Sequence, residues 1–214
     1  EVLVTKIFAD NGYDCGLVGK LHLSAAEGMV EVRPDDGYRF FEWSEHPHDD
    51  WESGHAYQDW LKAQGVDWDE YYCLGNGRNQ SSKDNAWKDI MPVGKGGMIS
   101  KYHQTTWAFT RAEHFINGDH GGKPWLLSIN IFDPHPPYDP PKDYRDRIDA
   151  SKLPLPKWKE GELDNKPDYY RTDYEEGSQG GTGPCAKDFS DEVKRQLVAD
   201  YYAQIEHIDA RLKD

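Results

Sequence analysis

The sequence predicts an α/β layer fold on a mostly parallel sheet, and three observations predict it. Residues 15–19, Cys-Gly-Leu-Val-Gly, form a short apolar run between glycines, as a buried strand does. Residues 125–132, Trp-Leu-Leu-Ser-Ile-Asn-Ile-Phe, are nearly continuously apolar, the pattern of a strand covered on both faces. Segments of helical period stand between and after these runs, and that alternation builds a sheet with helices packed on it.

Taken in order, residues 2–10 read as the end of a helix with Asn11-Gly12 as its stop. The strand at 15–19 follows. Residues 33–50 are turn-rich, with Pro34-Asp-Asp-Gly37 as the clearest turn signal. A helix is expected over about 54–64, where Tyr57, Trp60 and Leu61 share a face and Gly65 ends it. Residues 71–100 are rich in Gly and Asn and read as irregular. Thr105 or Thr106 can cap a helix to about Ile116, with Ala108, Ala112, Phe115 and Ile116 on one stripe. After the strand at 125–132, Pro134 and Pro136 stop it abruptly. Residues 137–187 form a long loop insertion, rich in Pro, Gly and charge. The last helix starts near Asp188 or Ser190, with Val193, Leu197, Tyr201, Ile205, Ile208 and Leu212 at helical spacing.

Composition narrows the function. Hydrophobic residues make up 36% of the 214, with 8 Trp and 13 Tyr, which suits a packed globular chain. A net charge of -14 argues against a nucleic-acid partner, because phosphate recognition needs clustered Lys and Arg. It leaves room for an anionic small substrate held by a few local cations. No apolar run approaches the roughly 20 residues of a membrane span. Cys15, Cys73 and Cys185 are far apart and form no CxxC pair, so they indicate neither a zinc site nor a disulfide framework. The chain opens at Glu1 inside an apolar-periodic stretch and closes at Asp214 without a stop signal. It is therefore expected to be an internal part of a longer protein.

Two places could carry chemistry. Lys20 and His22 follow the strand that ends at Gly19, and period-two alternation points both side chains the same way. Ligands of open α/β sheets bind beyond the carboxyl ends of strands. There a cation neutralises an anionic ester while an imidazole moves a proton. Spacing alone leaves open an ordinary strand-to-loop junction with a solvated lysine. The second place is Phe132-Asp-Pro-His-Pro-Pro137, where prolines on both sides restrain the backbone around His135. A proline-rich turn with a half-exposed histidine is the alternative.

Together the motifs resemble the type I sulfatases of the alkaline-phosphatase-like superfamily. Gly12-Tyr13, Gly19-Lys20 and His22 are similar to the family signature G-Y-x-[ST]-x-x-x-G-K-x-H. Arg33-Pro-Asp-Asp-Gly-Tyr-Arg-Phe-Phe41, the Trp60 to Gly65 helix, Lys123-Pro-Trp through Pro134-His-Pro-Pro137, and Ile205-Glu-His-Ile-Asp209 resemble later family segments in the same order. Each is weak alone, and the ordered set is strong. Cys15 departs from the usual Ser or Thr, and Leu21 from the usual aromatic.

The resemblance implies an alkaline-phosphatase-like sandwich, incomplete here, with residues 1–214 as an internal part of one catalytic domain. It implies hydrolysis of sulfate esters on a sulfated carbohydrate or an aryl sulfate. Lys20 would bind the sulfate and the formylglycine hydroxyl. His22 would orient that hydroxyl and act as a base to help expel sulfate. His135 would contact the ester and protonate the leaving alcohol. The formylglycine motif [CS]-x-P-x-R is not found, nor are the family's metal aspartates, so the nucleophile and the Ca2+ ligands are expected outside this segment. Family members are usually secreted, periplasmic or lysosomal. Same-superfamily alternatives are a phosphodiesterase or phosphonate monoester hydrolase; a non-catalytic binder of sulfated glycans is the other.

Several suggestive groups read as structural. His46-Pro-His48-Asp49-Asp50 reads as a solvated loop that could instead line the substrate cleft. Asp119-His120-Gly121 reads as a turn, Asp133 as a strand end that could instead contact substrate, and His207 and Asp209 as locally packed or paired. The acidic residues 173–176 read as a solvated loop. Substrate specificity is expected in the loops at 35–53, 71–100 and 137–187.

Overall fold

A computed structural model describes residues 2–21, 33–47, 54–67, 71, 98–136, 138–177 and 185–214. The chain divides into two compact units, Glu1–Cys73 with Lys101–Phe132 and Ala210–Asp214, and Leu74–Ser100 with Asp133–Asp209.

The first unit holds a three-stranded sheet in the order β2-β1-β3, where β1 is Asp14–Gly19, β2 Phe40–Trp43 and β3 Trp125–Asn130. Both pairings are parallel. The α/β fold read from the sequence is thus present. Every residue of β1 is buried, as its glycine-bounded apolar run predicts. Helices α1 (Val4–Asp10), α2 (Ala56–Ala63) and α3 (Gln104–Ile116) complete the unit. Gly16 allows α3 to approach β1, because a Cβ there would sit 2.8 Å from the Phe115 ring. Trp43, Trp107, Tyr57, Leu17 and Leu61 are among the largest fully buried side chains, each with no more than 1% exposure. Full burial of such side chains is worth about 2–3 kcal/mol apiece.

Three expectations need correction. Strand β2 falls in the stretch read as turns; it is only four residues long and directly follows the Pro34–Gly37 turn, so its period is short and masked. Strand β3 ends at Asn130 rather than Phe132 and is not covered on both faces, since Trp125 and Ile129 are 44% and 36% exposed. Helix α3 is capped by His103, not Thr105 or Thr106; the imidazole Nδ1 accepts from the Thr105 N–H at 3.3 Å. An imidazole nitrogen in its neutral form serves as an acceptor in the same way as a hydroxyl.

At the amino end of β1, Asp14 is buried and answered on two sides. Arg39 donates to it from Nε and Nη2, both at 2.6 Å, and His120 Nδ1 lies 2.8 Å from Oδ2. The turn read at Asp119-His120-Gly121 is present, with Asp119 accepting from Gly121 N–H, but it also delivers this imidazole.

The second unit contains α4 (Lys142–Arg145), α5 (Asp168–Glu175) and most of α6 (Asp191–Lys213). Two of these helices lie within the stretch 137–187. The spacing of α6 is helical as expected, yet its buried face is Ala199, Asp200, Ala203, Gln204 and His207. Tyr201, Ile205 and Leu212 are exposed. The polar face is buried because it is matched. Arg145 and Gln196 both bond Asp200 Oδ1 at 2.8 Å, Gln204 donates to Asp133 at 2.9 Å, and the His207 ring packs on Tyr144. Asp133 lies three residues past the end of β3 rather than ending the strand, and His207 packs on Tyr144 of α4 rather than on its own helix. Among the described residues no helix is long and apolar enough to cross a membrane.

The hydrogen bonds from Arg39, and then His120, hold the Asp14 carboxyl below its ordinary value of 3.8. A carboxyl lowered by folding lends stability above its unfolded pKa and loses it as pH falls through the folded one. Urea unfolding of Asp14→Asn at pH 7 is expected to show a loss of about 1 kcal/mol, because the Arg39 side chain left behind is 62% exposed and stays hydrated. Below about pH 4 the gap between wild type and variant should close.

Candidate active site at the carboxyl edge of the sheet

Because all three strands run parallel, their carboxyl ends share one edge. The register sets Gly19 opposite Trp43 on one side and Asn130 on the other. Residues just past these positions therefore converge where open α/β sheets bind ligands.

Gly19 makes the turn off β1 with a φ of +103°, and a Cβ there would fall 2.0 Å from the Asn130 carbonyl oxygen. Both the left-handed backbone and the close approach demand glycine. Beyond it, Lys20 N–H donates to Asn130 O at 2.7 Å, and Asn130 Nδ2 donates back to Lys20 O at 2.9 Å. On the other side, Ser44 N–H donates to Gly19 O at 3.0 Å. The backbone carrying Lys20 is thus pinned to both neighbours.

The side chain of Lys20 leads to a carboxylate. Its Nζ lies 2.8 Å from Glu45 Oε1, with side-chain exposures of 18% and 3%. The same ammonium stands 5.3 Å from the centre of the Phe132 ring, within range of a cation–π attraction. His46 completes the group: its ring meets Phe132 nearly edge-on at 4.9 Å, and Nδ1 is 3.5 Å from Glu45 Oε1.

Glu45 is itself fixed through its backbone. Gln104 Nε2 donates to Glu45 O at 2.9 Å, and His55 Nε2 lies 3.4 Å from the same carbonyl oxygen. Burial lowers the His55 pKa to about 4, so this imidazole is neutral near pH 7. Its Nδ1 accepts from Gln58 N–H and caps α2. Trp43 packs edge-on against the same ring at 5.5 Å and directs its indole N–H to Leu21 O.

Of the residues picked from sequence, Lys20 stands at the predicted edge. His22 lies outside the described residues, as do His48, Asp49, Asp50 and the loop at 72–97. His135 belongs to the second unit, half-buried after a cis Asp133–Pro134 peptide, with Nδ1 2.5 Å from Pro136 O. Sequence reasoning passed over Glu45 and set His46 aside as a loop residue. A signal existed: once Phe40–Trp43 is read as a strand, Glu45 falls two residues past its end, as Lys20 falls one past β1.

Cation and carboxylate on pinned backbones can present a fixed positive charge to an oxyanion. The fold around the pair is the alkaline-phosphatase-like α/β fold. It is shared with two solved phosphonate monoester hydrolases, from Agrobacterium radiobacter (TM-score 0.59, 18% identity, 98% of this chain and 42% of that one) and Silicibacter pomeroyi (TM-score 0.60, 19%, 97% and 41%). In sequence the chain is similar to an arylsulfatase of Clostridium perfringens (strain 13 / Type A), 25% identical over 221 residues, covering 99% of this chain and 41% of that protein. The resemblance to sulfatases read from the ordered motifs is borne out by this likeness. No family model matches the sequence. The chain spans about two fifths of the length of the curated relative it matches.

Gly19→Ala should misplace Lys20 by forcing β1 and β3 apart at this edge. A loss of at least about 2 kcal/mol in chemical denaturation is expected, from backbone strain and the close contact. Gly12→Ala is the control, since a Cβ there meets nothing within 4 Å and its cost is conformational only.

Proposed function

We propose that this chain carries part of the active centre of a sulfuric ester hydrolase. The observation that carries the reading is Lys20, an ammonium fixed at the carboxyl edge of the sheet, in a chain similar along 99% of its length to an arylsulfatase. In this reading the substrate is an aryl sulfate or a sulfated carbohydrate.

The chemistry asks for a small set of groups. A sulfate monoester carries its negative charge on nonbridging oxygens, and cleavage shifts further charge onto the alcohol oxygen. Lys20 supplies a positive charge already in place before the substrate arrives, so little reorganisation opposes the transition state. His22 serves as the base near the sulfur centre. His135 gives a proton to the departing alkoxide, which is otherwise a poor leaving group. Formylglycine supplies the nucleophile in sulfatases and calcium draws charge from the sulfate oxygens; both are assigned to residues beyond this chain. The donors beside Lys20 do not fit calcium. Glu45 is already occupied by an ammonium, and imidazole is a poor ligand for an ion that selects oxygen.

A second reading is hydrolysis of phosphonate monoesters, favoured by the two structural neighbours, which are phosphonate monoester hydrolases, with phosphodiesters as a related substrate class. Sulfur and phosphorus oxyanions have similar shape, and Lys20 would meet either.

The full-length protein should hydrolyse an aryl sulfate, and Lys20→Gln, His22→Ala and His135→Ala should each lower kcat/KM by roughly 10²-fold or more. Assays against a phosphonate monoester and a phosphodiester run in parallel. A higher kcat/KM on either phosphorus substrate would move the conclusion to the second reading.

A further inference from the structure

We infer that Glu45 is a positioning residue for Lys20, fixing the ammonium that meets the substrate oxyanion. The inference rests on the function proposed for Lys20 and assigns a role to a residue that neither motif nor fold names.

The carboxylate is poorly explained by stability. Burying an ion pair forfeits hydration of both charges, and apolar residues of similar volume often hold a fold equally well. Buried carboxylates that serve the fold are usually saturated with hydrogen bonds, as Asp14 is by Arg39 and His120. Glu45 differs. Both of its carboxylate oxygens are buried, and Oε2 takes no hydrogen bond from any described residue. Its attachment to the fold runs through the backbone instead, by Gln104 and His55. The side chain is directed at Lys20, with His46 at the longer distance of 3.5 Å from the same oxygen.

Lysine needs such a partner more than arginine would. Its flexible four-carbon stem ends in a point charge, and confining it costs conformational entropy. Glu45 from one side and the Phe132 ring from another restrict the ammonium before any anion arrives. The carboxylate also offsets the charge of Lys20. A free sulfate ion therefore meets a weaker field than an unpaired lysine would present, which favours release of the product.

These two effects have opposite signs when Glu45 loses its charge, and a structural role has no reason to separate them. In the full-length protein, Glu45→Gln should lower kcat on an aryl sulfate by roughly 10²-fold through misplacement of the ammonium. It should also lower KM and tighten competitive inhibition by inorganic sulfate. Glu45→Asp, which keeps the charge, should recover sulfate inhibition close to wild type. Unchanged kcat in a folded Glu45→Gln, or equal loss in kcat/KM with weaker sulfate binding, overturns the inference.

A second measurement stands apart from turnover. Reductive methylation with ¹³C-formaldehyde gives each lysine an NMR signal, and loss of one signal in Lys20→Arg assigns Lys20. Glu45→Gln should shift and narrow that signal while leaving Lys123 and Lys152 unmoved. If Lys20→Gln keeps full sulfatase turnover, the proposed function of Lys20 fails, and the NMR signal alone decides whether Glu45 holds it. An unmoved Lys20 signal rejects the positioning role whatever the activity.

Discussion

Strand β1 makes parallel hydrogen-bonded pairs on both sides, and from that pairing the rest of the first unit takes its arrangement. Parallel strands cannot be joined by tight hairpins, so the chain must cross over between them, and α2 and α3 lie in the connection from β2 to β3. The direction that forbids hairpins also gathers three carboxyl ends on one edge. Lys20, Glu45 and Phe132 are far apart in sequence, and each leaves a different strand. They meet because the register opposite Gly19 leaves them no other place.

The two ends of β1 solve different problems with the same kind of charge pair. Asp14 at the amino end is tied by two bonds from Arg39 and a contact from His120, which joins the start of β1 to β2 and to the turn before β3. That arrangement saturates the carboxylate and staples the sheet. At the carboxyl end, among the described residues, the Lys20–Glu45 pair makes one close side-chain approach, with His46 farther off, and is held from behind by backbone bonds. A saturated network favours one rigid structure, whereas an incompletely answered pair keeps capacity for a further ligand. The chemistry of a fixed cation belongs at the second end, where the strands also open toward ligands.

Much of the fold was legible because burial of β1 imposes an apolar run on it, and because α2 and α3 keep helical spacing around Tyr57, Leu61, Ala108 and Ala112. The spacing of α6 marks the helix but does not tell which face is buried. Asp200, Gln204 and His207 are buried, since Arg145, Asp133 and Tyr144 stand opposite them. Pairwise matching of polar groups leaves no period in one segment's sequence. Strand β2 was passed over for a related reason: four residues give too short a pattern to outweigh a strong turn signal beside them.

The sequence by itself determined the strand that ends at Gly19-Lys20, the order of motifs that resembles the sulfatases, and the α/β class. Each of these is written locally, in periodicity or in contiguous residue types. Only the tertiary structure decided that Glu45 faces Lys20, that Phe132 and His46 adjoin the pair, and that His120 answers Asp14. The partners in these contacts lie on separate strands and loops. Nothing local fixes their distance, because it depends on the register of parallel strands, which is settled by packing across the whole sheet.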